Sequence, residues 1–212
     1  CLGEAALRFG ITLHAWIALS NHLHLVLRDN HGNLPAFLAH AHKMIAKATN
    51  AHWGRWENLF APEPTCAAYL IDDDDRFEKL IYLLCNAIAA HLVDRVADWP
   101  GACSLAQHLS GLPKVVERPR GFFRDDGPMP EVVTLRAEKL EGFDAAAYAA
   151  QFDAIADYSI FSWQTRNGIT PTAMYQSGAV QLKGFFLPQR MTSLGLALFQ
   201  APRRGGVTGY FL

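Results

Sequence analysis

His22 and His24, with one leucine between them, are residues of the kind that holds a catalytic metal ion. In a strand, residues i and i+2 share a face, roughly 6.6–6.8 Å apart along the chain. Two imidazoles so placed can converge on one ion, while Leu23 anchors the opposite face. Two His ligands leave coordination positions open for substrate oxygens and water, which a catalytic ion needs. The motif is short, and its alternative is a pair of half-exposed strand histidines. A second pair, Tyr82 and Asn86, stands four residues apart in a predicted helix and therefore shares a face. Asn86 lies in the apolar segment LIYLLCNAI, where an amide is a poor helix former and costly to bury without partners. Its amide oxygen can be a third, hard ligand, with Tyr82 one turn away. The alternative is a core-edge tyrosine beside a solvent-facing asparagine.

The elements that must position these residues follow from periodicity. Residues 1–9 suit the end of a helix, closed by Gly10. Residues 11–19 read as a strand, Ser20-Asn21 as a turn, and 22–28 as a second strand, with His22, His24, Val26 and Arg28 on one face. His14 is expected on the same face as Thr12 and Trp16, in a structural role or near the site rather than as a ligand. A loop with Asn33 as N-cap leads into an amphipathic helix over 34–53. A loop with Pro62 and Pro64, a strand through CAAYLI and an acid-started helix over roughly 75–93 complete the order. Residues 111–130 read as a linker or irregular arm, 131–136 as a strand and 144–157 as a helix. No period is visible beyond Tyr158. The order predicts an α+β fold: a ferredoxin-like antiparallel sheet with helices packed on one face. The strand expected before the first helix is missing, and Cys1 as first residue is read as the start of a fragment. The division expected is a catalytic domain over 1–110 and a C-terminal extension over 111–212.

With 212 residues, half of them hydrophobic and 18% charged, the chain is expected to fold around a core. No apolar run has membrane-spanning length free of charge or Pro/Gly breaks, so no membrane partner is expected. The four cysteines, Cys1, Cys66, Cys85 and Cys103, show no metal-ligand spacing and read as buried small hydrophobes. No GxxxxGK[ST] loop is present, so a nucleotide-driven reaction is not indicated. Net charge is −1, unlike most nucleic-acid binders. Local clustering offsets this: between Ala39 and Arg55 the chain carries His40, His42, Lys43, Lys47, His52 and Arg55 and no acid. Lys43, Lys47, Arg55 and Arg120 are the candidate DNA contacts. Trp53 and Trp56 could stack on bases but fit a hydrophobic cap better, and Arg118, Arg120 and Arg124 form a small basic arm.

ALSNHLHLVL and IYLLCNAIAAHLVDRVADWPGACSL resemble two motifs of the REP-associated tyrosine transposases and their insertion-sequence relatives: an Asn followed by His-hydrophobic-His, and a helix with Tyr, three residues, then Asn. The likeness covers about residues 1–110. Where the family usually has Pro and soon after a basic residue, this chain has Ala87 and Ala89. The resemblance implies Tyr82 as nucleophile, with Tyr69 as the poorer rival, and His22, His24 and Asn86 as ligands of Mg2+ or Mn2+. It further implies single-stranded or hairpin DNA as substrate, a monomer or homodimer, and a cytoplasmic, nucleoid-associated place in a bacterium. The other readings are a catalytically dead transposase remnant and a non-enzymatic single-strand-binding module.

Overall fold

The structure is a computed structural model and describes residues 1–19, 22–60, 65–156 and 207–211. Helix α1 (Leu2–Phe9) ends at Gly10, whose left-handed φ of 68° lets its N–H reach the Ala6 carbonyl. Strands β1 (Ile11–Ala18) and β2 (Leu23–Asp29) pair antiparallel, and the Leu19 N–H donates to the His22 carbonyl between them. The Ser20-Asn21 turn itself lies outside the described residues. Helix α2 (Leu34–Trp53) has the bounds its periodicity predicts. Its cap differs from expectation. Asn33 sits at the N-cap, but its side chain donates to the Phe9 carbonyl. The Asp29 carboxylate instead accepts the N–H groups of His31, Asn33 and Leu34. A carboxylate at that end both satisfies orphan donors and suits the helix dipole.

Strand β3 (Cys66–Leu70) and helix α3 (Asp73–Leu84) follow, with Asp73, Asp74 and Asp75 in the first turn. The helix expected over 75–93 is divided. It stops at Leu84, Cys85 takes ψ 0°, and α4 (Asn86–Ala89) is a separate short turn. His91, at φ 55°, then leaves the helical course, and Leu92 is exposed. After a 3-10 turn (Val96–Asp98) and α5 (Leu105–Ser110), β4 (Lys114–Glu117) and β5 (Val132–Leu135) form a separate two-stranded sheet. Thus part of the stretch expected to be an irregular arm is a strand. Helix α6 (Ala145–Ala156) matches expectation. Of the patternless segment beyond Tyr158, only β6 (Val207–Phe211) is among the described residues.

The fold is α+β. The main sheet has the order β1-β2-β6-β3, antiparallel throughout. A strand was expected ahead of α1; the place between β2 and β3 is held by β6, from the far end of the chain.

Helices cover both faces of this sheet rather than one. Leu23, Leu25 and Leu27 join Ala5 and Ala6 of α1 and Phe37 and Ala41 of α2 in one apolar cluster. Val26, on the other face by alternation, joins Leu80, Leu83 and Leu84 of α3 and Phe152 and Ile155 of α6 in a second. Residues before and after position 110 share this second cluster. The switch in β1 has a local cause. Leu13 pairs with Leu27 and Ala15 with Val26, so His14 is an extra residue, a β-bulge. Past the bulge the parity flips: Ile11, Leu13 and Trp16 lie in the first cluster, Ala15 and Ile17 in the second. Trp16 therefore faces away from Thr12, contrary to simple alternation. His14 is buried, and its Nδ1–H donates to the Glu138 carbonyl at 2.8 Å.

The outer edge of β1 is closed by residues 99–104. Ala18 N–H donates to Ala102 O, Ser104 N–H to Trp16 O, and Trp99 Nε1–H to Ala18 O. The buried Ser104 hydroxyl accepts the Trp16 N–H. The edge groups of the strand that leads into the histidines are thus largely satisfied. Among the described residues, no helix is long and apolar enough to cross a membrane.

The sheet depends on β6, since Gly209 sits between Val26 and Ala68 with a ladder on each side. Gly209→Pro removes an N–H that a central strand uses and should destabilise the fold by at least about 2 kcal/mol. Urea unfolding read by circular dichroism checks this; an unchanged midpoint would mean that the sheet holds without β6.

Candidate functional site

Tyr82 comes from the last turn of α3, Asn86 from the first residue of α4, His22 from the end of the β1–β2 turn and His24 from β2. The second apolar cluster fixes their relation, because Leu80, Leu83 and Leu84 hold α3 against the face of β2 that carries Val26 and, by alternation, His24. The rings of His22 and His24 meet edge to face with centroids 4.5 Å apart. The Asn86 side chain is hydrogen-bonded to His22 and also to Tyr82. All four residues singled out from sequence therefore lie in one cluster.

Asn86 is buried, so its amide must find partners or cost stability. The sense of both interactions indicates how it does so. It favours a proton on His22 and a phenolate on Tyr82, which fits an amide oxygen accepting from the imidazole and an amide N–H donating to the phenol oxygen. The break at Cys85 leaves this i,i+4 pair joined.

Burial sets the protonation states. It lowers the pKa of His22, opposed by the bond to Asn86. It lowers His24 further, to about 4, with repulsion from His22 acting in the same direction. Both imidazoles are then neutral near pH 7 and carry the lone pairs that a metal ligand requires. Burial raises the pKa of the Tyr82 phenol, and Asn86 partly offsets the shift. Among the described residues, no group of three or more His, Cys, Asp or Glu side chains is placed to hold a metal. The donor set here is two imidazoles and one amide oxygen, a combination that suits a divalent ion with open positions. Loading it requires exchanging the His22–Asn86 hydrogen bond for bonds to the ion.

Sequence reasoning overlooked Lys79. It is partly buried on α3, three residues before Tyr82 and so on the same helix face. Burial lowers its pKa, with Asp75 and Glu78 opposing. A basic residue one turn before the tyrosine was the available signal. Tyr69 is exposed in the edge strand β3.

The candidate DNA contacts are scattered. Lys43 and Lys47 are exposed on α2, which covers the opposite face of the sheet from Tyr82. Arg55 is exposed and paired with Glu57 at 2.8 Å. Arg120 is exposed and makes no ion pair among the described residues. In the basic arm, Arg118 is held by Asp125 and Arg124 by Asp126. Trp53 and Trp56 are 59% and 90% exposed, so they do not cap the core. Trp53 is the last residue of α2, which Gly54 closes in the left-handed conformation, and Trp56 lies just beyond. Trp53 instead lines a largely apolar cavity of about 490 Å³ together with Trp16, Leu19, Leu23 and His22. Of the four free cysteines, only Cys85 is fully buried; Cys66 is exposed.

No family model, no curated protein and no solved structure matches the chain.

The neutral, buried histidines carry a consequence for stability. His24 and His108 titrate near 4 in the fold, each chiefly because of burial, against an ordinary 6.5. Between those values the unfolded chain binds more protons, so stability should fall as pH drops from 6.5 toward 4. Each group adds up to about 1.4 kcal/mol per pH unit to that slope. Urea midpoints at pH 7, 6 and 5 measure it, and His108→Gln should make the curve shallower. A flat profile across that range would show that these rings are charged in the fold.

Proposed function

We propose that the chain is a metal-dependent, single-tyrosine DNA strand transferase, built on a ferredoxin-like plan and acting on single-stranded or hairpin DNA. The observation that carries this reading is the buried Asn86 amide, hydrogen-bonded at once to Tyr82 and to a His22 that touches His24. A fold that needed only packing would not gather a phenol, an amide and two imidazoles at one point. The strand order supports the ferredoxin-like plan, with β6 in the central place expected of an N-terminal strand.

In this reading His22, His24 and Asn86 hold a divalent ion, Mg2+ or Mn2+, which supplies charge to polarise the scissile phosphate and to ease ionisation of the phenol. The Tyr82 oxygen attacks phosphorus. The bond from phosphorus to the 3′ oxygen breaks, that oxygen takes a proton, and the products are a 5′-phosphotyrosine and a free 3′-hydroxyl. A strand's 3′-hydroxyl then attacks the phosphotyrosine and restores both the diester and the phenol, so no nucleotide hydrolysis is required. Asn86 orients Tyr82 and stabilises its ionised form. Lys79, one turn earlier, places a cation beside the path of the backbone. A strand that also follows Lys43 and Lys47 must pass around the His22 end of the sheet, because α2 lies on the other face.

Tyr82→Phe removes one oxygen and leaves a buried Asn86 N–H without its acceptor, so the fold should lose about 1–3 kcal/mol and still form. The denaturation-resistant adduct with labelled hairpin DNA, formed in Mg2+ or Mn2+, should vanish while single-strand binding persists. An adduct that survives Tyr82→Phe and disappears in Tyr69→Phe overturns the choice of nucleophile. The absence of any adduct with the unmutated chain favours a binding module or a dead remnant.

Replacing Lys43 and Lys47 together by alanine should weaken DNA binding and reduce the log–log salt slope by roughly one unit per lost phosphate contact. Titrations at several salt concentrations measure the slope; an unchanged value would show that α2 does not meet the backbone.

A further inference from the structure

Trp53 stands outside the core, and the cavity it lines reaches the candidate site. That cavity, about 490 Å³, takes His22 and Leu23 from the hairpin and Ile45, Thr49 and Trp53 from α2. The three α2 residues are spaced by four and form one stripe of the helix. The opposite wall is the β4–β5 sheet. There Lys114 pairs with Leu135 and Val116 with Val133, so these four side chains share one face by alternation, and all four line the cavity. The lining is largely apolar, yet Trp53 is 59% exposed and Val116 37%. Open apolar and aromatic surface inside a concave site is the mark of a place for a ligand.

Three features decide the occupant. The first is continuity. His22 belongs both to the cavity wall and to the cluster with His24, Asn86 and Tyr82. A strand whose phosphate lies at that cluster has a neighbouring nucleotide at the cavity. Lys43 and Lys47 lie on α2, on the cavity's side of the sheet, so a strand that runs on to them passes the same mouth. The second is the chemistry of the wall. Trp53 and the aliphatic side chains suit a flat π-face and not a phosphate. A duplex keeps its bases stacked and offers none; a single strand does. The third is charge. Lys114 is exposed at one end of β4 and suits a phosphate left outside; Glu117 stands at the other end, and Arg118 is held by Asp125. We propose that the cavity holds one unstacked base of a single DNA strand against Trp53, with the backbone left at the mouth. This rests on the strand-transferase reading and deepens it, because the captured base sets which phosphate the cluster meets.

The experiment is equilibrium binding to the full chain, unmutated and as Tyr82→Phe, so that capture is read apart from cleavage. The probes are a strand with every position abasic and the same strand carrying one central 2-aminopurine. The single base should raise affinity by about fivefold to a hundredfold, the worth of one stacked base, and its fluorescence should be quenched. Trp53→Ala, at an exposed position with little risk to the core, should remove both effects, and Trp53→Phe should keep most of each. Trp56→Ala should change neither, since Trp56 is not part of the lining. Lys114→Ala should weaken both strands by a similar factor. An oligothymidylate carrying one 5-iodouracil should photocrosslink to Trp53 or another lining residue. Equal affinity for the two strands, a gain that survives Trp53→Ala, a crosslink only at Trp56, or no binding of either strand overturns the proposal. Anilinonaphthalene sulfonate that fills the cavity and resists displacement by the base-bearing strand gives the space to a small apolar ligand and overturns it as well. Base capture by a chain that forms no phosphotyrosine adduct keeps the pocket and removes strand transfer; an adduct formed without base dependence does the reverse.

Discussion

The candidate site depends on one obligation: a buried carboxamide must have its hydrogen bonds. Asn86 sits at the joint between α3 and α4, and its two ends serve different elements, the phenol of its own helix and the imidazole at the turn of the hairpin. A leucine there would pack as well and would leave the tyrosine and the histidines with no common reference. The amide thus converts an unfavourable burial into a fixed spacing between a candidate nucleophile and two candidate ligands.

The second determinant is the odd residue in β1. Without the bulge at His14, the alternation begun by Ile11 and Leu13 would turn Ala15 and Ile17 toward α1 and α2 and Trp16 toward α3. The extra residue lets the first half of β1 serve α1 and α2 with Ile11 and Leu13, and lets the second half supply Ala15 and Ile17 to the α3 side. The sheet lies between two apolar layers and carries His24 inside the fold. That position explains why its imidazole is kept neutral, and why a solvent-exposed pair of strand histidines is not what the fold contains.

The elements that were readable in the sequence are those whose signal is local. Gly10 closes α1, and the three- and four-residue spacing of Phe37, Leu38, Ala41 and Ile45 marks α2. Tyr82 and Asn86 are related by helical spacing, and His22 and His24 by strand spacing, so each pair was legible alone; their meeting was legible only through family likeness. What escaped depends on contacts distant in sequence. A bulge has no residue signature of its own, so the placing of Trp16 went wrong with it. The role of Asp29 as cap depends on how the loop folds back, and Asn33 has the more familiar capping type. The exposure of Trp53 and Trp56 at and beyond the end of α2 has no signal in their residue type. Polar orphans such as Gln107 and His108 look like ordinary surface residues of a short helix until the neighbouring strand and Phe152 enclose them.

The place of β6 in the sheet also sets an order of events for the molecule. Its partners, β2 and β3, precede it in the chain, so the strand that must lie between them is made after both. Until then β2 has an unpaired edge beside His24, and the closing contact joins segments far apart in the chain, the kind of pairing that folds slowly and is open to wrong partners. The latch of residues 99–104 guards only the other side of the hairpin. A growing chain therefore has its histidines and tyrosine before it has the strand that completes the sheet around them.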